Sequence, residues 1–161
     1  MSVSSKQGFF LRKAHIQDVP AIHAMLMRFS RQGLLLPRSY NELYSHLRDF
    51  LVLARTGDTS ICGCCALSIA WENLAEIRSL IVDEPHQRQG WGKRLVEACL
   101  SEALTLGVYR VFTLTYQTDF FARLGFETVD KDVFPQKVWA DCLHCPKFPE
   151  CCDEVAMLLE L

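Results

Sequence analysis

No run of apolar residues in this chain approaches the ~20 needed to cross a bilayer as a helix. Its opening segment, Met1 to Gly8, is polar and lacks the apolar core of a secretory signal. Neither sign of charge dominates, since 17 Lys and Arg stand against 19 Asp and Glu. With a pI near 6.2 there is no global basic field to attract nucleic acid. Internal repeats, low-complexity tracts and linker-like stretches are also missing. These absences leave a soluble, cytoplasmic protein as the simplest expectation, without a membrane or nucleic-acid partner. What is present fits that reading. In 161 residues, 50% hydrophobic and 22% charged, there is enough apolar material for one domain with its own core and too little charge for a disordered chain. In a reducing compartment the eight cysteines are expected as thiols or metal ligands, not as a disulfide framework.

The order of periodicities predicts alternating strands and helices. Phe9 to Lys13 reads as a strand. Asp18 is placed to cap a helix with Pro20 in its first turn, and Val19, Ile22, Leu26 and Phe29 give that helix one apolar face. Arg31 to Pro37 breaks the pattern. Ser39 and Glu42 match a capping box that opens a second helix carrying Leu43 and Leu47 inward. Strands are expected at Phe50 to Ala54, Ile61 to Trp71 and Ala75 to Val82, the first two joined at Thr56-Gly57-Asp58. A helix from Gly90 to Leu106 stops at Gly107. A strand from Val108 to Thr115 and a short helix from Asp119 to Leu124 follow. The remainder reads as one more strand, a cysteine-rich excursion and a last apolar run, Glu154 to Leu161. This is one mixed α/β domain.

The informative stretch runs from Leu80-Ile81-Val82 through a polar turn to Gln87-Arg88-Gln89-Gly90-Trp91-Gly92-Lys93-Arg94. A strand followed by a glycine-started helix offers unpaired backbone N–H groups and the positive end of a macrodipole, and glycine lets a phosphate come close. Arg88, Lys93 and Arg94 add positive charge. A pyrophosphate suits these features, as does an ordinary strand-to-helix connection with solvated charges. Neither the P-loop pattern nor the G-x-G-x-x-G dinucleotide pattern is present.

Gln87-Arg88-Gln89-Gly90-Trp91-Gly92 resembles the Q/R-x-x-G-x-G/A motif of the GNAT acetyltransferase superfamily. Phe121-Ala122-Arg123-Leu124-Gly125-Phe126 resembles its second signature. The resemblance covers nearly the whole chain, residues 1–161 as a single GNAT domain. It implies a central mixed, mostly antiparallel twisted sheet flanked by helices and splayed at an acetyl-CoA site. It further implies that the amides of Gln87 to Lys93 hold the pyrophosphate of acetyl-CoA, that Leu80, Ile81 and Val82 pair with the pantetheine arm, and that Phe121 lies at the cofactor. Homodimers are common in this fold, but the oligomeric state stays open.

A finer resemblance, to short stand-alone N-acetylglutamate synthases, is carried by Arg31-Gln32-Gly33-Leu34-Leu35-Leu36-Pro37-Arg38-Ser39, by Ala75-Glu76-Ile77-Arg78 and by Leu114 to Phe121. It implies L-glutamate as acceptor, with the product serving arginine biosynthesis. Two carboxylates require cationic donors, for which the arginine fork is suited. Arg38, Ser39, Arg78 and Lys137 are the candidates, although Arg38 could be a solvated neighbour of a cap, Ser39 merely a cap, and Arg78 paired with a nearby acid. Glu76 matches the general base of that branch, although it could be a surface glutamate on an edge of the strand. Many GNAT enzymes carry a tyrosine where this chain has Phe121, so either Tyr116 or Thr118 protonates the leaving thiolate or, the CoA thiolate being a fair leaving group, no acid is needed. The longer synthases hold glutamate partly with an arginine and a serine before the final strand, whereas Lys147 to Asp153 contains neither. Another amine, or an acetyl-CoA-sensing module without turnover, are the alternative readings.

Cys142, Cys145, Cys151 and Cys152 cluster around His144. A C-x-x-C knuckle with two further sulfurs can close a tetrahedral zinc site, though the adjacent second pair is awkward, and redox-active or free thiols compete with zinc. Cys62, Cys64, Cys65 and Cys99 are expected as small core residues.

Overall fold

The computed structural model describes residues 8–34, 37–134 and 154–161. Lys137 and the four clustered cysteines Cys142, Cys145, Cys151 and Cys152 lie outside the described residues. The strands are β1 (Phe9–Lys13), β2 (Phe50–Arg55), β3 (Ile61–Trp71), β4 (Leu74–Val82), β5 (Arg110–Thr115), β6 (Glu127–Thr128) and β7 (Val155–Glu160), and the helices are α1 (Val19–Arg31), α2 (Tyr40–Ser45), α3 (Trp91–Thr105) and α4 (Thr118–Arg123). The strands form a seven-stranded sheet in the order β1-β2-β3-β4-β5-β7-β6. Its β1–β2, β2–β3, β5–β7 and β6–β7 pairs are antiparallel and its β4–β5 pair is parallel, giving the mixed, mostly antiparallel sheet expected.

The chain divides into two compact units. The first takes the described residues through Leu67 together with Ile77–Glu102. Val19, Ile22, Met25 and Leu26 of α1 and Leu43 of α2 are buried against Phe50, Val52, Cys64, Ala66 and Ile81 of the strands. A smaller cluster joins Phe9, Leu53, Cys62 and Trp91. These are the apolar positions at helical spacing in α1 and at alternating spacing in β2, so the periodicity that defines each element also selects the face it buries.

The second unit takes Ser68–Glu76 and the described residues from Ala103 onward. Leu74, Phe112, Phe134 and Ala156 form its core, with Ala70, Leu114, Val129 and Leu158 packed against them. Phe112 and Phe134 pack at 4.3 Å between ring centroids, their planes tilted by 30°. Gly107, at φ +79, ends α3 in the left-handed conformation expected of a C-terminal glycine, and the Val108 N–H then returns to the Ala103 carbonyl at 2.8 Å.

Two local expectations are corrected. Asp18 occupies the cap position of α1 but makes no side-chain cap hydrogen bond. Its carboxylate instead accepts from both Arg12 Nη atoms, at 2.7 and 3.0 Å, and from the His15 N–H at 2.7 Å. A guanidinium fork is a stronger partner than a single amide, and it draws the carboxylate toward β1. At α2 only part of the capping box forms. Ser39 Oγ accepts from the Glu42 N–H at 3.1 Å, and its hydroxyl donates to Glu42 Oε1 at 3.3 Å. Leu47 falls beyond α2, in the 3-10 turn Leu47–Asp49, and is half-buried.

Candidate acetyl-CoA site

The first helical hydrogen bond of α3 runs from the Arg94 N–H to the Gly90 carbonyl at 3.2 Å. Helix geometry therefore leaves the amides of Trp91, Gly92 and Lys93 without an intrahelical acceptor. The approach to this turn is bent by two left-handed residues, Arg88 at φ 63 and Gly90 at φ 85. The loop is tied back to the end of β4: Gln87 Nε2 donates to the Val82 carbonyl at 2.8 Å, and the Asp83 N–H donates to the Cys62 carbonyl at 2.8 Å. Arg28 Nη2 lies 2.8 Å from Asp83 Oδ1.

Trp91 contributes its amide to the turn and its ring to the core, where it is 4% exposed and meets Phe9 edge-on at 6.0 Å. The Arg94 guanidinium lies 4.9 Å from the centroid of the same ring. Arg88, Gln89 and Lys93 are exposed. A run of amides without intrahelical acceptors, with basic side chains around a helix N-terminus, can take up the charge of a pyrophosphate.

Along β4, Glu76, Arg78, Leu80 and Val82 are half-buried and alternate with the buried Ile77, Ser79 and Ile81. Glu76 and Arg78 therefore share a strand face, as expected, and both have interaction partners. Ser79 is left-handed at φ 56, an irregularity with no sequence signature. The ladder with β5 is recorded at Ala75 and Glu76.

Arg38 is 7% exposed, and its guanidinium lies 5.9 Å from the centroid of the Phe50 ring. This removes the reading of Arg38 as a solvated arginine. Nearby, Asp49 accompanies His46 at 3.7 Å. Burial raises the Asp49 carboxyl above its ordinary value, and His46, Arg38, Lys13 and Arg78 each act in the opposite direction. The two predicted carboxylate-binding arginines thus share one electrostatic neighbourhood in the first unit. Asp49 carries no sequence signal, because nothing in Leu47-Arg48-Asp49 distinguishes a solvated acid from one set among cations. Ser39 spends its hydroxyl on the α2 cap.

The second unit carries Tyr116, Thr118 and Phe121. Tyr116 is half-buried just after β5 and has an interaction partner, and Thr118 opens α4. Phe121 is 3% exposed and packs edge-on against Phe120 at 5.0 Å and Phe126 at 5.2 Å. The spacing of the second signature has a local cause. The Phe126 N–H bonds the Phe121 carbonyl at 3.1 Å while Gly125, at φ 97, turns the chain.

The family model described as "Acetyltransferase (GNAT) family" matches residues 19–126. The chain belongs to the GNAT acetyltransferase family. It is 40% identical over 151 residues to an uncharacterized N-acetyltransferase of Chlorobaculum tepidum, covering 94% of this chain and 96% of that one. It is 36% identical over 122 residues to an amino-acid acetyltransferase of Mycobacterium tuberculosis, covering 74% of this chain and 69% of the relative. Among solved structures, N-acetylglutamate synthase from Neisseria gonorrhoeae, complexed with coenzyme A and N-acetyl-glutamate, superposes with a TM-score of 0.84 at 30% identity. That match takes in 98% of this chain and 36% of the synthase. A Mycobacterium tuberculosis protein in complex with CoA and NLQ gives a TM-score of 0.81 at 32% identity, covering 94% of this chain and 99% of that one. As a GNAT protein the chain is an acyltransferase by family. No helix among the described residues is long and apolar enough to cross a membrane. Among those residues no group of three or more His, Cys, Asp and Glu side chains is arranged to hold a metal ion.

Proposed function

We propose that this GNAT protein transfers the acetyl group of acetyl-CoA to the α-amine of L-glutamate. The observation that carries the acceptor is the buried Arg38, set with Arg78 in one cationic neighbourhood of an otherwise slightly acidic chain. Fork-shaped donors of this kind suit a dicarboxylate. Support also comes from the amino-acid acetyltransferase and N-acetylglutamate synthase relatives.

In this reading the amides of Trp91, Gly92 and Lys93 hold the pyrophosphate, and the β4 backbone at Leu80 holds the pantetheine arm near the thioester. Arg38 and Arg78 bind the glutamate carboxylates. Glu76 takes a proton from the ammonium, directly or through water, because only the neutral amine is nucleophilic. The amine nitrogen attacks the thioester carbonyl, the C–S bond breaks as the amide forms, the nitrogen's second proton passes to solvent, and the CoA thiolate leaves. Tyr116 and Thr118 are the hydroxyl groups proposed to return a proton to that sulfur. The lack of arginine in Lys147 to Asp153 favours a second reading, transfer to a different amine.

A thiol-release assay with acetyl-CoA and a panel of amines tests the proposal. Selective CoA release with L-glutamate is expected, together with a roughly 100-fold lower kcat for Glu76→Gln at unchanged CoA affinity. Release only with another amine would overturn the glutamate assignment. Binding of acetyl-CoA without release from any amine would overturn turnover itself.

A further inference from the structure

Two adjacent residues of β3, Gly63 and Cys64, press against the backbone of β4. The Cys64 thiol donates to the Ser79 carbonyl at 3.4 Å. A Cβ at Gly63 would stand 2.8 Å from the Ile81 carbonyl oxygen and 3.4 Å from Leu53 Cβ. The two strands are joined by only Glu72 and Asn73, so they run antiparallel as a hairpin. Glycine inside a strand marks close approach by another backbone, which is the situation at Gly63.

The Cys64 contact falls on the irregular point of β4, and the Gly63 contact lies two residues beyond it, at Ile81. Ser79 is left-handed at φ 56, a conformation that a non-glycine residue keeps only where its surroundings hold it. The Ser79 and Ile81 carbonyls both face β3, as their contacts with Cys64 and Gly63 show. Strand alternation then turns the N–H and C=O of the intervening Leu80 away from β3. Cys64 is fully buried, and burial pushes its thiol up to about 12, so it remains a protonated donor at neutral pH.

We infer that Gly63 and Cys64 are positioning residues that fix the Ser79–Ile81 segment and so present the Leu80 backbone edge to the thioester arm of acetyl-CoA. The inference rests on the acetyl-CoA reading above. Gly63 makes room for the β4 carbonyl, and Cys64 supplies the hydrogen bond that holds the left-handed turn. Neither touches the reacting atoms.

Amide hydrogen exchange on the full chain, with and without CoA, gives a local test that does not require turnover. In the unaltered protein CoA is expected to slow exchange at Leu80 to Val82 and at Trp91 to Lys93. Cys64→Val keeps an apolar side chain but removes the donor. It should lose protection at Leu80 to Val82 and lower kcat about tenfold, while CoA affinity stays within about twofold because the α3 amides are unchanged. Cys64→Ser, which retains a donor, should recover most of kcat. Gly63→Ala, read in the same way, carries the test if Cys64→Val does not fold.

Wild-type kcat and wild-type protection at Leu80 to Val82 in Cys64→Val would overturn the inference. So would equal loss of protection at both segments, which marks a general structural role. An unaltered protein that shows no CoA protection at either segment would instead overturn the acetyl-CoA reading, and this inference with it.

Discussion

Arg28 Nη2 and Asp83 Oδ1 stand 2.8 Å apart, joining the last turn of α1 to the residue that follows β4 and begins the turn into α3. The pair is partly open to solvent, with the Arg28 side chain 53% and the Asp83 side chain 28% exposed. Its worth to global stability is therefore small, while its effect on the position of the loop is direct. Arg28→Ala should cost at most about 1 kcal/mol in denaturant unfolding. The same variant should raise the KM for acetyl-CoA a few-fold (about 3-fold) with little change in kcat. An unchanged KM would separate this ion pair from cofactor binding.

At Gly90 the backbone conformation, not crowding, is the constraint. Its φ is +85, and an added Cβ would meet nothing within 4 Å. Gly90→Ala should consequently fold with a penalty of about 1–2 kcal/mol from the left-handed conformation alone. Any relaxation of that strain turns the first amides of α3 away from a bound phosphate. Titration calorimetry should show CoA affinity reduced by about tenfold, roughly 1.4 kcal/mol. Retention of full affinity would remove the loop from the site.

Two carboxylates predict opposite responses to pH. Burial alone would raise the Asp18 carboxyl, but the Arg12 hydrogen bonds and the His15 N–H prevail and hold it below its ordinary 3.8. Its contribution is present above that value and is lost as pH falls through the lowered folded pKa. Asp49 is raised above 3.8 by burial despite His46, Arg38, Lys13 and Arg78, so its contribution is fullest below 3.8 and declines as pH rises through the raised folded pKa. Urea unfolding at neutral and at acidic pH checks both. Asp18→Asn should lose about 3 kcal/mol at neutral pH, with the deficit narrowing in acid. Asp49→Asn should be no less stable than the unaltered protein at neutral pH, and any gain should vanish as pH falls toward 3.8.

The thiols of β3 and α3 should be inert in the folded protein. Burial pushes Cys62 up to about 11 and Cys64 up to about 12, and Cys65 is raised by its hydrogen bond with Cys99 and by burial. Thiolate, not thiol, reacts with alkylating reagents. Peptide mapping after alkylation at neutral pH should find Cys62, Cys64, Cys65 and Cys99 modified only once denaturant has unfolded the chain. Modification of any of them under native conditions would contradict the packing.

The glycine turn into α3 was legible because its chemistry is local. A strand, a polar turn and Gly90 before an amphipathic helix are enough to leave amides unpaired, and α3 begins within one residue of where the sequence placed it. The second signature was legible for a similar reason, since Gly125 and the Phe121–Phe126 pair close one short turn. Asp18 shows where local reading fails. As a cap it has a local partner, but the guanidinium of Arg12 reaches it only once β1 and the start of α1 are packed. Asp49 and Ser79 were silent in the sequence, one because burial and neighbouring cations define it, the other because its left-handed turn is held from β3.

The sequence by itself determined the order of strands and helices, the family motifs and the α3 turn, because periodicity, glycine and helix ends act over a few residues. Tertiary structure alone decided which cations act on Asp49, that Arg38 is buried, that Cys64 meets the irregular point of β4 at Ser79, and that Gly63 meets Ile81 two residues on. Those relations join residues distant in sequence, and they come into being only when burial brings their elements into contact.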